Sequence, residues 1–169
     1  DDGVPVFETR TVVGSGQHHT PEFSDEMTHM VVNPSWHVPV SIIGKEYLPQ
    51  LQRNHTAMNQ QGIQIFYKGR QIDPTLVDFT QFTAGNFPVT MRQPPGAGNA
   101  LGKVKFLFSN KFDIYLHDTP SKSLFQKSQR DFSHGCVRVQ RPMDRFVLRA
   151  LEDAGLSYSP EDDRGTLAE

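Results

Sequence analysis

The sequence predicts a mainly β fold with some α: a twisted mixed sheet or small sandwich, an amphipathic helix packed on it near the C-terminus, and a mixed α/β insertion over residues 44–95. Three observations carry this. Short runs rich in β-branched and aromatic residues fill the first 43 residues and return from Val104. The stretch between them changes character and carries helix-capping signals. A 3.6-residue apolar period stands out from Met143 onward.

Val4–Val13 reads as the first strand, stopped by Gly14-Ser15-Gly16. Asp2-Gly3 before it is a hairpin-turn dipeptide, which implies a partner strand ahead of Asp1 and a chain that is part of a longer polypeptide. Gln17–Ser24 is polar and reads as a loop. Met27–Val32 is the second strand. Trp36–Val40 continues extended, because the residue before a proline is pushed away from helix. Lys45–Arg53 is a short helix kinked or ended at Pro49. Asn54 caps a helix reaching Gln61, with Gly62 as its stop. Ile63–Tyr67 is a strand and Lys68-Gly69 a turn. Asp73-Pro74 opens a helical turn. Val104–Phe108 and Asp113–His117 are strands. The second of these puts Tyr115 and His117 on one face. Residues 118–132 form a polar loop. Cys136–Val139 is a short strand with Cys136 and Arg138 on one face and Val137 and Val139 on the other. Met143, Phe146, Val147, Ala150, Leu151 and Ala154 then mark a helix with Gly155 at its end. One domain is expected over residues 1–156, with 157–169 a polar tail.

Bulk properties narrow the function. The hydrophobic share is 36% and the net charge −2, with no basic block and no strongly acidic tail. Nothing there argues for nucleic acid or an anionic membrane as partner. No apolar run approaches the ~20 residues of a spanning helix. The first residues are not a signal peptide, so an exported protein would already have lost its signal. Cys136 is the single cysteine, so no internal disulfide forms and cysteine usage does not fix the compartment.

The chemistry concentrates at Ser133-His134-Gly135-Cys136, with 15 residues separating His117 from Ser133. Sulfur attacks as thiolate and an imidazole can take its proton, so a low-pKa Cys136 nucleophile is expected here. The backbone N–H groups of Gly135 and Cys136 are candidate oxyanion donors, and glycine before the nucleophile permits a tight turn.

His117 and the Ser133–Arg138 block resemble the signature of the L,D-transpeptidase catalytic domain, the YkuD family. Val31–Pro39, Gly98–Gly102 and Ile114–Pro120 are similar to its large periplasmic branch, which carries a capping insertion where residues 44–95 fall. The resemblance covers roughly Val4 to Gly155. Many members have asparagine two places after the cysteine, where this chain has Arg138.

The resemblance implies a YkuD-like fold and peptidoglycan tetrapeptide stems as donor and acceptor. Cys136 would form a thioester, the D-alanine would leave, and a second stem's amine would complete a 3→3 crosslink. Resolution by water would instead make the enzyme an L,D-carboxypeptidase or a hydrolase detaching wall proteins. It implies no metal or cofactor, a periplasmic location, and carbapenems as covalent inhibitors. It makes His117 the general base, held through the carbonyl of Asp118. Ser133 and His134 shape the loop and help place substrate.

Other residues keep two readings. Arg138 holds a stem carboxylate or a structural ion pair. Tyr115 donates into the cleft or packs across strands. Trp36 stacks on substrate or, more in keeping with its type, packs the core. Asn99 borders the cleft or simply makes a turn. His18-His19 reads as solvated, with no third metal ligand apparent, and the spacing of His117, His134 and Cys136 matches no usual zinc pattern.

Overall fold

Two β-sheets position everything that follows. The computed structural model of the protein describes residues 8–143 together with 153 and 155. The larger sheet contains β1 (Thr11–Gly14), β2 (Met27–Val32), β7 (Val104–Phe108), β8 (Leu116–His117), β9 (Asp131–Ser133) and β10 (Val137–Val139). Its strand order is β2-β7-β8-β10-β1-β9. It is mixed: β10 runs parallel to β8, and β1 parallel to β9, while the other pairings are antiparallel. The smaller, antiparallel sheet has order β3-β6-β4-β5, from β3 (Trp36–His37), β4 (Gln64–Tyr67), β5 (Arg70–Gln71) and β6 (Val89–Gln93). The mainly β reading therefore holds.

Several elements have different limits from those expected. Only Thr11–Gly14 of the first run is strand, residues 8–10 are not, and the earlier part lies outside the described residues. Helix begins at Val40, not Lys45. It runs from α1 (Val40–Ile42) through a π-helical turn (Ile43–Tyr47) into α2 (Leu48–Arg53). Pro49 neither kinks nor ends it. The proline falls in the first turn of α2, just after the widened turn, where its missing N–H costs least. Asn54 starts no helix to Gln61. Its Oδ1 accepts from the N–H and Oγ1 of Thr56, a local bond that competes with helix, and only a 3-10 turn follows at Asn59–Gln61. Gly62 does close that turn, at φ +64°.

Lys68-Gly69 makes the expected turn with both residues at positive φ. Asp73 caps the 3-10 turn Pro74–Leu76 as expected. The strand expected at 113–117 is reduced to β8, because Asn110 draws in the N–H and carbonyl of Ile114 and bends the chain there. Residues 118–132 are more than a polar loop. They hold a 3-10 turn at Lys122–Gln126 that drives Phe125 into the interior, and they lead into β9. The expected helix from Met143 to Ala154 and the tail from 157 lie outside the described residues, apart from Met143, Asp153 and Gly155.

The smaller sheet and the helical stretch share an apolar core of Val38, Ile42, Ile43, Leu48, Leu51, Met58, Ile63, Ile65, Phe79 and Met91, among others. The larger sheet buries Val12, Val104, Phe106 and Val139. Among the described residues, no helix is long and apolar enough to cross a membrane.

Candidate active site

The parallel pairing of β8 with β10 assembles the candidate site. Its register sets Arg138 opposite His117 and Val137 opposite Leu116. The Tyr115 carbonyl accepts the Val137 N–H at 3.1 Å and extends the pairing. Strand alternation then turns Tyr115, His117, Cys136 and Arg138 to one side, where all four line a cavity of about 1000 Å³. Val139 faces the opposite way and is buried.

His117 is only 5% exposed. Its Nδ1 lies 2.5 Å from the carbonyl oxygen of Asp118. A carbonyl can only accept, so Nδ1 carries the proton and Nε2 keeps its lone pair. Burial pushes the imidazole pKa down to about 4; the Asp118 carbonyl opposes this and Arg138 reinforces it. The ring is therefore neutral at pH 7.

The Asp118 carboxylate does not enter the cavity chemistry. It accepts from Lys122 Nζ at 2.5 Å and from the Lys103 N–H at 2.9 Å. Lys122 also donates to the carbonyl of Gln140. Gly102, at φ +60°, passes so close that a Cβ there would stand 2.4 Å from Asp118 Oδ2. This clamp fixes the residue whose carbonyl orients His117.

The Ser133–Cys136 loop is braced from within and from outside. Ser133 Oγ donates to the Cys136 carbonyl at 2.5 Å and accepts the Gly135 N–H at 3.2 Å. Thr20 Oγ1 donates to the Gly135 carbonyl at 2.7 Å and accepts the Gly14 N–H. Gly135 sits at φ +114°, a region L side chains avoid. Of the two expected oxyanion donors, Gly135 N–H is thus engaged by Ser133, whereas Cys136 N–H meets no acceptor among the described residues.

The Cys136 thiol is half-buried. It lies 3.9 Å from the Asp113 carbonyl and shares the cavity with Tyr115. Burial pushes its pKa up, against the lowering by Tyr115 and Arg138. A low-pKa thiolate is therefore not what the site holds at rest. Burial and the neighbouring Cys136 likewise raise the Tyr115 phenol, which stays a hydrogen-bond donor.

The remaining sequence candidates divide. Arg138 has a buried Nε with no acceptor among the described residues. It lines the same cavity as Cys136 and makes no ion pair among the described residues. Trp36 packs edge-on against Tyr47 and the smaller core, the packing role expected of it, and it also lines the cavity. Asn99 is 1% exposed. Its amide nitrogen serves the carbonyls of Pro34, Gln93 and Pro94, and its oxygen takes the Leu101 N–H. It builds the cavity wall with no polar group left for a ligand. His134 pairs with Glu46 at 2.6 Å; His18 is exposed, as expected, and its ring lies 5.0 Å from that of His134.

Glu46 and Thr20 carried no sequence signal, because they reach His134 and the Gly135 carbonyl across 88 and 115 residues; Lys122 stands only four residues from Asp118, but in a segment that reads as loop that spacing marks no pairing. Among the described residues, no group of three His, Cys, Asp or Glu is placed to hold a metal ion.

Comparison with known proteins identifies the family. The YkuD family, described as the L,D-transpeptidase catalytic domain, matches residues 1–151. A Haemophilus influenzae protein named "Putative L,D-transpeptidase" is 34% identical over 155 residues, which is 91% of this chain. The chain spans 31% of that relative's length. The match runs through β8 and β10, the two strands that place an imidazole with a bare nitrogen and a thiol on one cavity wall, and the chain belongs to the YkuD family of L,D-transpeptidase catalytic domains.

Proposed function

We propose that this chain is a peptidoglycan L,D-transpeptidase that forms 3→3 crosslinks through a thioester on Cys136. The observation that carries the reading is the shared wall of Cys136, His117 and Arg138, with His117 Nδ1 tied to Asp118 and Nε2 left to act as base.

Both partners start neutral, so the proton moves as the sulfur attacks. His117 Nε2 takes the thiol proton. The sulfur adds to the carbonyl that joins the third and fourth residues of a tetrapeptide stem. The oxyanion that forms meets the Cys136 N–H, a donor of a kind whose loss costs ~3 kcal/mol of transition-state stabilisation. The C–N bond then breaks. D-alanine leaves as a neutral amine, having taken the proton from the His117 imidazolium. The acyl group stays on sulfur until the side-chain amine of a second stem displaces it.

Tyr115, on the same face as the thiol, is placed to donate a hydrogen bond into the cleft. Arg138, with its vacant Nε, is the group to receive a stem carboxylate. Residues 44–95, which supply Glu46, Tyr47 and Gln93 to the cavity, cap the site. Such a substrate lies outside the cytoplasmic membrane, so the enzyme works in the periplasm.

The test is the intact mass of reduced protein after incubation with meropenem, a carbapenem expected to acylate the thiol. One adduct on the wild type and none on Cys136→Ala is the expected result. A folded, reduced wild type that gains no mass overturns the proposal.

A further inference from the structure

The cavity holds a second imidazole with a partner unlike that of His117. His134 Nε2 lies 2.6 Å from Glu46 Oε1, and the two side chains are 42% and 43% exposed. Both line the same cavity as Cys136. Glu46 comes from the π-helical turn Ile43–Tyr47, on the helical stretch beside the smaller sheet, whereas His134 belongs to the nucleophile loop. A carboxylate accepts, so the shared proton sits on His134 Nε2 and the basic lone pair is on Nδ1. Nδ1 meets no hydrogen-bond partner among the described residues.

The two imidazoles are equipped for different work. His117 is buried and held by a carbonyl, which fixes its tautomer and adds no charge. That suits moving a proton between a thiol and a departing amine within a closed pair. His134 is open to the cavity and its Nε2 is already bonded to a carboxylate, so Nδ1 is the nitrogen left to take a proton from a ligand. An incoming alkyl amine needs that second kind of base. Its pKa is roughly 10, so it arrives as an ammonium and cannot attack until it has lost a proton. Among the described residues, Glu46 supplies the carboxylate that pairs with the loop, in a cavity that Arg138 also lines.

We propose that Glu46 and His134 form the acceptor subsite: they bind the primary ammonium of the acceptor chain and remove its proton before it attacks the Cys136 thioester. This rests on the transpeptidase reading. The ammonium gives one proton to His134 Nδ1, which passes it to solvent. The neutral nitrogen adds to the thioester carbonyl, the C–N bond forms and the C–S bond breaks. The second proton lost by nitrogen returns to Cys136 sulfur through His117, leaving an amide and a free thiol.

The experiment measures the ratio of aminolysed to hydrolysed product from a tetrapeptide donor, together with D-alanine release, for the wild type and Glu46→Gln. The ratio does not depend on how much enzyme is folded or on how fast it acylates. Two acceptors are supplied at pH 7: the side-chain amine of an Nα-acetylated lysine, and hydroxylamine, which arrives neutral. With the lysine amine, Glu46→Gln should lower the ratio about tenfold, a fraction of the ~100-fold or more that a positioned base supplies. With hydroxylamine the ratio should match the wild type. Equal ratios with both acceptors overturn the proposal and leave the transpeptidase reading standing. An equal deficit with both acceptors also overturns it, since the pair then only braces the cleft. Absence of D-alanine release by the wild type overturns the underlying reading itself.

Discussion

At the scale of single residues, the site is a neutral pair. His117 is held near pKa 4 by burial, and the Cys136 thiol is pushed up by the same cause. Acylation should therefore keep its rate well below pH 6.5, the ordinary imidazole value, and fall only as pH approaches 4. The kcat/KM for D-alanine release against pH checks this, and an acid limb centred near 6.5 would refute it. The same shift has a stability consequence. Between about pH 4 and 6.5 the unfolded chain binds a proton at His117 that the folded one does not, so stability rises with pH through that window. The contribution is about 3 kcal/mol. Denaturant midpoints across the window should show that slope in the wild type and lose it in His117→Asn; an unchanged slope would remove His117 as its source. These two residues were legible in the sequence because their spacing is local and chemically specific. The resting charge state was not, since burial belongs to the fold and no motif carries it. The acceptor-side residue Glu46 was invisible for a similar reason: its partner lies 88 residues away in the chain.

At the scale of elements, the clamp on Asp118 decides whether His117 is aimed. Three pieces converge on that carboxylate: the N–H of Lys103, the ammonium of Lys122 from its 3-10 turn, and the bare Cα of Gly102. Lys122→Met should lower kcat by about tenfold with KM little changed, within the ~100-fold that a 1 Å misplacement of a catalytic group costs. Lys122→Arg should restore most of it. A matching loss in both variants would show that the turn merely folds the loop. Strands such as β2 and β7 were readable to the residue, because their runs of β-branched or aromatic residues are bounded by clear breakers. The helix from Val40 and the strand β9 were not. Val40 follows a proline and carries a strand-forming side chain, and Asp131–Ser133 is too short to show alternation. Asn99 read as a turn residue with a possible second role; its four hydrogen bonds to backbone show how fully the turn uses it.

At the scale of the whole molecule, the cavity lies among residues of both sheets, and each sheet brings its own buried apolar set. Phe79 anchors the smaller set. It is fully buried, meets Phe87 and His55 edge-on, and its carbonyl is held by Gln52 of α2. Phe79→Ala should cost about 3–5 kcal/mol, read as a lower denaturant midpoint, although Phe79 does not line the cavity. A midpoint within error of the wild type would deny this core its role in holding the cavity wall. The mainly β character was legible from composition and breakers, because those reflect each strand alone. The strand order was not, since it depends on pairings between distant segments. One of those pairings governs time as well as shape. The nucleophile strand β10 lies between β8 and β1 and joins Thr11 to Val139, the first strand among the described residues to the last. Such long loop closures are slow. Cys136 is therefore held beside His117 only after that long-range closure, and the capacity to react arrives as a late event of folding.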